Sequence, residues 1–293
     1  MAGNTRKNSL EQYYTLPEVA QEFAEHVVKI YGLDARYLDP CGGRGAFVEA
    51  LIRAGVAESN IVSVDIDPRH RLVRAADFLA DAIAIDPGFI AITNPPYGRA
   101  CSLAIKFFNR CASLKAKSIA FLIPSSFNKV AIADRLDLSF HQREAVLAPS
   151  TSYYTDAGGI DTRGRLSTEF QIWEHRNTLR PRRKCLRHPW IEFVSWPQVK
   201  AGASYDFCIR THGSGCGQLL NKDYAGSLRV SDGKNTHLNF RTVAFIRSKH
   251  KELKATLETM DFSRFSQAVS YIPCVSPAEI CILLAEKTGV ACV

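Results

Sequence analysis

Apolar positions in the first 150 residues follow two rhythms, and their alternation predicts a mostly parallel sheet covered by helices. Val19, Phe23 and Val27 recur every fourth residue with Ala20, Ala24 and Val28 beside them, one face of a helix over roughly 17–31. Thr15-Leu16-Pro17-Glu18 in front of that face reads as a capping box with proline in the first turn, and Gly32 behind it as a stop. Short apolar runs at 35–38, 61–64, 89–93 and 118–124 read as buried strands. Helical spacing returns over 46–54 and 102–114, where Phe47, Leu51, Ile105, Phe107 and Phe108 point inward. Runs at 144–147 and 169–173 supply the last two strands. The order of these elements is that of an α/β doubly wound, Rossmann-like sheet.

The pattern changes after residue 147. A polar stretch at 148–167, containing Tyr153, Tyr154, Gly158 and Gly159, is long for a connection inside a compact domain and reads as a functional loop. Residues 176–187 are basic, interrupted by Pro181, and read as a linker. Beyond them short strand-like runs at 205–210, 227–230 and 242–246 mix with helical runs near 248–259 and at 277–287, the last introduced by Ser276. Gly213, Gly215 and Gly217 read as the turn of a hairpin. The expected organisation is therefore a domain over 1–177 followed by a smaller basic α+β domain over 178–293.

Charge sharpens that division. The net charge is +8, yet residues 1–150 carry 17 Lys+Arg against 16 Asp+Glu, so nearly all the excess lies in the second half. A neutral part joined to a basic one suits a catalytic domain with an appended polyanion-binding domain. Arg180, Arg182, Arg183 and Lys184 are the densest part of the excess and the candidate nucleic-acid contacts, although a basic run by itself is also what a solvated linker looks like. With 46% hydrophobic residues and a mean hydropathy of -0.10, the chain has the composition of a soluble cytoplasmic protein with no membrane partner. No run approaches the ~20 apolar residues of a membrane span, and the first residues lack the apolar core of a secretory signal. The nine cysteines are scattered without any Cys-x-x-Cys pair, which argues for reduced thiols and against a disulfide framework or a metal site.

Two motifs carry the chemistry. Asp39-Pro40-Cys41-Gly42-Gly43-Arg44-Gly45-Ala46-Phe47 is a glycine turn at a strand end, where backbone can approach a cofactor that side chains would exclude. Asp39 is placed to take the ammonium of S-adenosylmethionine. Asp65, closing the next strand, is placed for ribose hydroxyls, Ile66 for one face of adenine, Asp77 for its exocyclic amine and Phe78 for its ring. Asn94-Pro95-Pro96-Tyr97 follows the strand at 89–93. An exocyclic amine is a poor nucleophile because its lone pair is delocalised into the ring. The Asn94 side-chain oxygen and the Pro95 carbonyl could accept both of its hydrogens and draw the nitrogen towards tetrahedral geometry, with Pro95 and Pro96 stiffening the turn. Tyr97 offers a flat face to the base.

Asp39-Pro40 with Gly43, Gly45 and Phe47, then Val64-Asp65-Ile66-Asp67-Pro68, Ala76-Asp77-Phe78-Leu79 and Asn94-Pro95-Pro96-Tyr97-Gly98, resemble in order the motifs of the gamma-class N6-adenine DNA methyltransferases. The resemblance covers residues 10–176. It implies a class I methyltransferase sheet, S-adenosylmethionine as methyl donor, and a flipped-out adenine held between aromatic rings. It also implies that Tyr14 and Thr15, in a segment preceding the glycine turn, line the cofactor, that Cys41 and Asn94 border it, and that the second aromatic is Phe170 or Trp173. It places target recognition after the catalytic motifs. One departure is Asp65, where the family often carries Glu. The motifs do not distinguish DNA from RNA, although DNA is favoured, and they do not reveal whether a restriction enzyme accompanies the chain. A protein glutamine-amide methyltransferase shares Asn-Pro-Pro-Tyr, but Phe47, the basic second half and the second aromatic oppose it. Cytosine N4 enzymes usually begin the motif with Ser. A non-catalytic nucleic-acid-binding relative would not be expected to keep Gly43, Gly45, Asp65 and Asn94 through Tyr97 together.

Overall fold

The computed structural model describes residues 14–149, 153–154, 167–184, 186–220, 242–266, 268 and 272–293. Gly158, Gly159 and the strand expected at 227–230 lie outside them. The chain packs as two compact units. One takes Met1–Ser125 with Arg135–Pro181, and the other takes Ser126–Asp134 with Arg182–Val293.

In the first unit, in chain order, the elements are β1 (Tyr14–Thr15), α1 (Pro17–Tyr31), β2 (Tyr37–Asp39), α2 (Ala46–Arg53), β3 (Ile61–Asp65), β4 (Val73–Ala75), β5 (Ile90–Thr93), α3 (Ser102–Ser113) and β6 (Ser118–Pro124). After the excursion into the other unit come β7 (Phe140–Leu147), β8 (Tyr153–Tyr154) and β9 (Thr168–His175). Seven of these strands form one sheet in the order β4-β3-β2-β5-β6-β9-β7, with β9 antiparallel to both neighbours and the first five parallel. A last strand inserted antiparallel inside the edge is the class I methyltransferase arrangement that the motifs imply. The order reverses between β2 and β5, and a ligand cleft is expected outside the carboxyl ends there.

Helix α1 runs over the predicted range and ends at Gly32, whose φ is 89°. Its start differs from the expectation. Leu16 occupies the N-cap with extended backbone and no side-chain cap bond, while Thr15 pairs with Tyr153 in a two-residue ribbon. Pairing across that ribbon fixes Thr15 at the strand and leaves Pro17 to start the helix by its locked φ. The core joins α1 and α2 to the sheet through Val19, Phe23, Val27, Phe47, Leu51, Ile92, Leu122 and Phe170.

The second unit contains α4 (Val130–Ala133), β10 (Ile191–Val194), α5 (Trp196–Lys200), β11 (Phe207–Arg210), β12 (Leu219–Leu220), β13 (Val243–Ser248), α6 (Leu253–Glu258), α7 (Ser263–Ser266) and α8 (Pro277–Thr288). Its antiparallel sheet runs β10-β13-β11-β12, and β11 and β12 are the two arms of the expected hairpin. Helix α8 carries a complete capping box, with Ser276 and Glu279 satisfying each other's backbone N–H. Glu279 is 1% exposed, and its carboxylate also accepts from the Lys129 ammonium at 2.6 Å and the Val130 amide at 3.0 Å. Lys129 also donates to the carbonyls of Cys274 at 2.8 Å and Phe265 at 3.3 Å. This buried pair is what fastens residues 126–134 into the second unit.

Candidate active site

A cleft of about 700 Å³ opens at the carboxyl ends of β2, β3 and β5 in the first unit. Tyr14, Thr15, Asp39, Pro40, Cys41, Gly43, Gly45, Asp65, Ile66, Asp77, Phe78, Asn94, Pro95 and Pro96 all line it, so residues from four separate motifs meet in one cavity. Its size is that of an ordinary small-molecule site, roughly 300–1,000 Å³.

The glycine turn is built tightly. Gly45 has φ 82°, and a Cβ there would lie 2.5 Å from the ring of His70, whose Nε2 is held 2.8 Å from Glu49 on α2. Only glycine fits that combination of left-handed backbone and close approach. The Gly43 amide donates to Asp65 at 2.8 Å, and the other Asp65 oxygen accepts from the Asp67 amide at 2.8 Å. Asp65 thus joins the glycine turn to the end of β3, and each of its oxygens keeps a second lone pair for a ligand. Asp77 is exposed at the cleft and accepts the Leu79 amide at 2.9 Å. Phe78 is 1% exposed and leans on Phe107 at 5.3 Å, while Ile66 is 59% exposed at the cleft.

Asp39 lies deepest. Its carboxylate accepts from the Thr93 hydroxyl at 2.6 Å and from the Cys41 amide at 3.3 Å. Burial pushes its pKa up to about 7, against the two hydrogen bonds that lower it, with the Asp65 charge adding to the rise. No cationic side chain among the described residues pairs with it. A buried acid answered only by neutral donors suits a cationic ligand group, and the open glycine turn and Asp65 complete a set that fits a nucleoside bearing an amino-acid group, such as S-adenosylmethionine. Cys41 ties this half to the other: its thiol lies 3.0 Å from the Thr93 hydroxyl and donates to the Asn94 carbonyl at 3.3 Å. Burial holds that thiol well above its usual pKa, so it stays protonated.

Asn94 follows β5, with Pro95 and Pro96 beside it on the cleft wall. The chain then turns sharply. Gly98 has φ 69°, and a Cβ there would meet the Leu103 amide at 2.8 Å; Ala100 and Cys101 also take positive φ, which is rare for residues with side chains. Such backbone strain gathers at functional sites.

Three expected aromatic roles are corrected by the structure. Phe170 is fully buried and stacks on Phe23 at 4.3 Å, 6° from parallel. Trp173 is 3% exposed, edge-on to Phe108, with its indole N–H bonded to Gln171 at 3.1 Å. Both belong to the core because β9 lies inside the sheet, where both faces are covered. Tyr97 is 6% exposed and does not line the cleft. Its hydroxyl turns it inward, donating to Asn94 Oδ1 at 2.9 Å and meeting the Tyr153 hydroxyl at 2.9 Å. Tyr14 and Tyr154, cross-strand partners in β1 and β8, line the cleft along with Phe47, Phe78 and Phe107, and the Arg44 guanidinium lies 4.0 Å over the Tyr14 ring. Tyr154 was legible only as part of a polar loop; its place at the cleft comes from pairing with β1.

The basic segment is also redistributed. Arg180 donates to the carbonyls of Phe140 at 3.0 Å and Leu136 at 3.2 Å and lies over Trp173. Its guanidinium is committed to closing the first unit rather than free for phosphate. In the second unit, the Arg182 side chain bonds the Asp134 carbonyl, and the amides of Arg183 and Lys184 both donate to the Asp134 carboxylate at 2.8 Å. Desolvation lowers the pKa of Arg183, which is only partly exposed, whereas Arg182 and Lys184 stand in solvent.

No family model matches the chain. Among curated proteins, the type II methyltransferase M.VspI of Vibrio sp. (strain 343) is 29% identical over 110 residues, covering 32% of this chain and 27% of that protein. The chain thus spans only about a quarter of the curated relative that it matches. Similar solved structures include the M protein of the type I restriction enzyme EcoKI, at 12% identity over 96% of this chain and 71% of that one, with a TM-score of 0.44. A type I restriction-modification methyltransferase subunit from Streptococcus thermophilus matches at 13% identity over 58% and 46%, TM-score 0.41. PH1948 from Pyrococcus horikoshii, a proposed RNA methyltransferase, matches at 15% over 60% and 92%, TM-score 0.43. The methyltransferase resemblance read from the motifs is borne out by the M.VspI similarity.

Proposed function

We propose that this chain transfers the methyl group of S-adenosylmethionine to the exocyclic N6 of adenine in DNA, as a member of the gamma class. The observation that carries the reading is the meeting of both motif sets in one cleft: Asp39, Gly43, Gly45 and Asp65 on one side, Asn94, Pro95 and Pro96 on the other. Similarity to a type II methyltransferase favours DNA over RNA.

The cofactor supplies an electrophilic methyl group on a sulfonium. Asp39 binds its ammonium end, Asp65 its ribose hydroxyls and Asp77 its exocyclic amine, while Ile66 and Phe78 enclose its adenine. Asn94 Oδ1 and the Pro95 carbonyl accept the two target N–H bonds, localising the lone pair without a strong base. The target adenine is flipped from the duplex, and Tyr154 takes the stacking role that the buried Phe170 and Trp173 cannot fill. The region after residue 178 helps hold the nucleic acid, with Arg182 and Lys184 as its exposed cations in the basic segment.

Incubation with methyl-labelled cofactor and, separately, duplex DNA, total RNA and cell protein tests the reading. N6-methyladenine in DNA supports it, and Asn94→Ala should abolish that label while leaving cofactor affinity within a few fold. Label confined to RNA or protein, or absent throughout, refutes the assignment.

A further inference from the structure

We infer that Arg44 binds the α-carboxylate of the cofactor, with the Tyr14 ring as the positioning residue for its guanidinium. The role rests on the reading of the cleft as an S-adenosylmethionine site. The methionine end of that molecule is a zwitterion, so a site that takes its ammonium at Asp39 also meets an anion on the same carbon. An anion brought beside a buried acid needs a cation or N–H donors to offset its desolvation. Among the described residues that line the cleft, the cationic side chains are Arg44, Arg53 and Arg99. Arg53 lies at the last position of α2, and its Nε donates to Gln21 at 2.8 Å. Arg99 comes after Asn94 through Tyr97, beside the groups assigned to the target base. Arg44 belongs to the glycine turn itself, between Gly43 and Gly45 and close in sequence to Asp39.

The surroundings of Arg44 suit a carboxylate. The side chain is exposed and forms no ion pair with an acid among the described residues. Its guanidinium lies 4.0 Å over the Tyr14 ring, and the edge of that ring comes within 3.5 Å of where a Gly43 Cβ would stand. Contact with an aromatic face uses the flat side of a guanidinium and leaves its N–H edge for the two oxygens of a carboxylate. Tyr14 is held in turn by its pairing with Tyr154 across β1 and β8, which fixes the backbone that carries the ring. The ammonium and the carboxylate of one ligand are thus answered from one turn, by Asp39 beneath it and Arg44 upon it.

S-Adenosylhomocysteine and its decarboxylated form, which ends in an aminopropyl chain, share nucleoside, thioether and ammonium and differ in the carboxylate. Asp39 meets the ammonium of both, so its contribution cancels in the ratio of their affinities. Calorimetry on the full chain at about pH 8 should give the wild type about a tenfold preference for S-adenosylhomocysteine, as a charge-assisted contact at a partly solvated site provides. Arg44→Gln should bind S-adenosylhomocysteine about tenfold more weakly and the decarboxylated form within about twofold of the wild type. Arg44→Lys should keep only part of the preference, because an ammonium offers no planar fork. Tyr14→Leu should lower the preference, and Tyr14→Phe, which restores a ring, should recover it. Equal losses for both ligands in Arg44→Gln, or none for either, would overturn the carboxylate role. A ratio that Tyr14→Leu leaves unmoved would overturn the positioning role of the ring. If the wild type binds neither ligand, the cofactor reading fails and this role with it, a result seen before any variant is made.

Discussion

Lowering the pH from about 8 to about 6 should weaken binding of S-adenosylhomocysteine roughly tenfold through Asp39 alone. The carboxyl is buried behind Thr93 and Cys41 with its pKa raised to about 7. A ligand ammonium binds the ionised form, so affinity follows the ionised fraction, about nine-tenths at pH 8 and one-tenth at pH 6. The product is a suitable probe because it keeps the ammonium and does not react. Calorimetry in two buffers of different ionisation enthalpy should also register release of nearly one proton per ligand at about pH 6 and almost none at about pH 8. Asp39→Asn should bind more weakly at pH 8 and lose most of the slope. The same shift bears on stability with a definite sign. A carboxyl whose pKa is higher folded than unfolded favours the folded state below its unfolded value near 4, and that contribution is lost as pH rises through about 7. Asp39→Asn should therefore melt above the wild type at alkaline pH and converge with it in acid. A flat wild-type affinity from pH 8 to 6 with no proton released would refute both the buried ionisation and the ammonium assignment.

Asp65→Ala removes the acceptor of the Gly43 and Asp67 amides and, on the proposed reading, of the ribose hydroxyls. At about 1.5–3 kcal/mol per hydrogen bond to a charged group, cofactor affinity should fall at least tenfold; equal dissociation constants by calorimetry would remove Asp65 from the site. Glu279→Gln strands the Lys129 ammonium in a buried setting and should destabilise the protein by about 3–5 kcal/mol. A change under about 1 kcal/mol in urea denaturation would show that the carbonyls around Lys129 suffice. Neutralising Arg182 and Lys184 together should reduce the salt slope of DNA binding by up to about two, whereas Arg180→Ala should lower the melting temperature and leave the slope alone. An unchanged slope in the first variant would return those cations to the solvated surface.

The amino-acid sequence by itself determined the sheet and the cleft. Strand ends at Asp39, Asp65 and Thr93 follow from apolar runs that stop at acids, glycines and prolines, and those signals act through local backbone geometry. The helix start at Ser276 was equally local, although the burial of Glu279 against Lys129, 150 residues away, was not. Tertiary structure alone decided which aromatics line the cleft. Every residue from Phe170 to Trp173 is buried, so the alternation that usually separates an inner from an outer strand face carried no information there. The inward turn of Tyr97 depends on a hydroxyl partner in β8, and Tyr154 reaches the cleft only because β8 pairs with β1 across about 140 residues. Residues 126–134 show the same separation: they fall inside the domain expected over 1–177, but the ion pair at Lys129 holds them in the second unit. Backbone conformation is written in neighbouring residues, whereas the partner of a side chain is set by contacts that only the folded chain brings together.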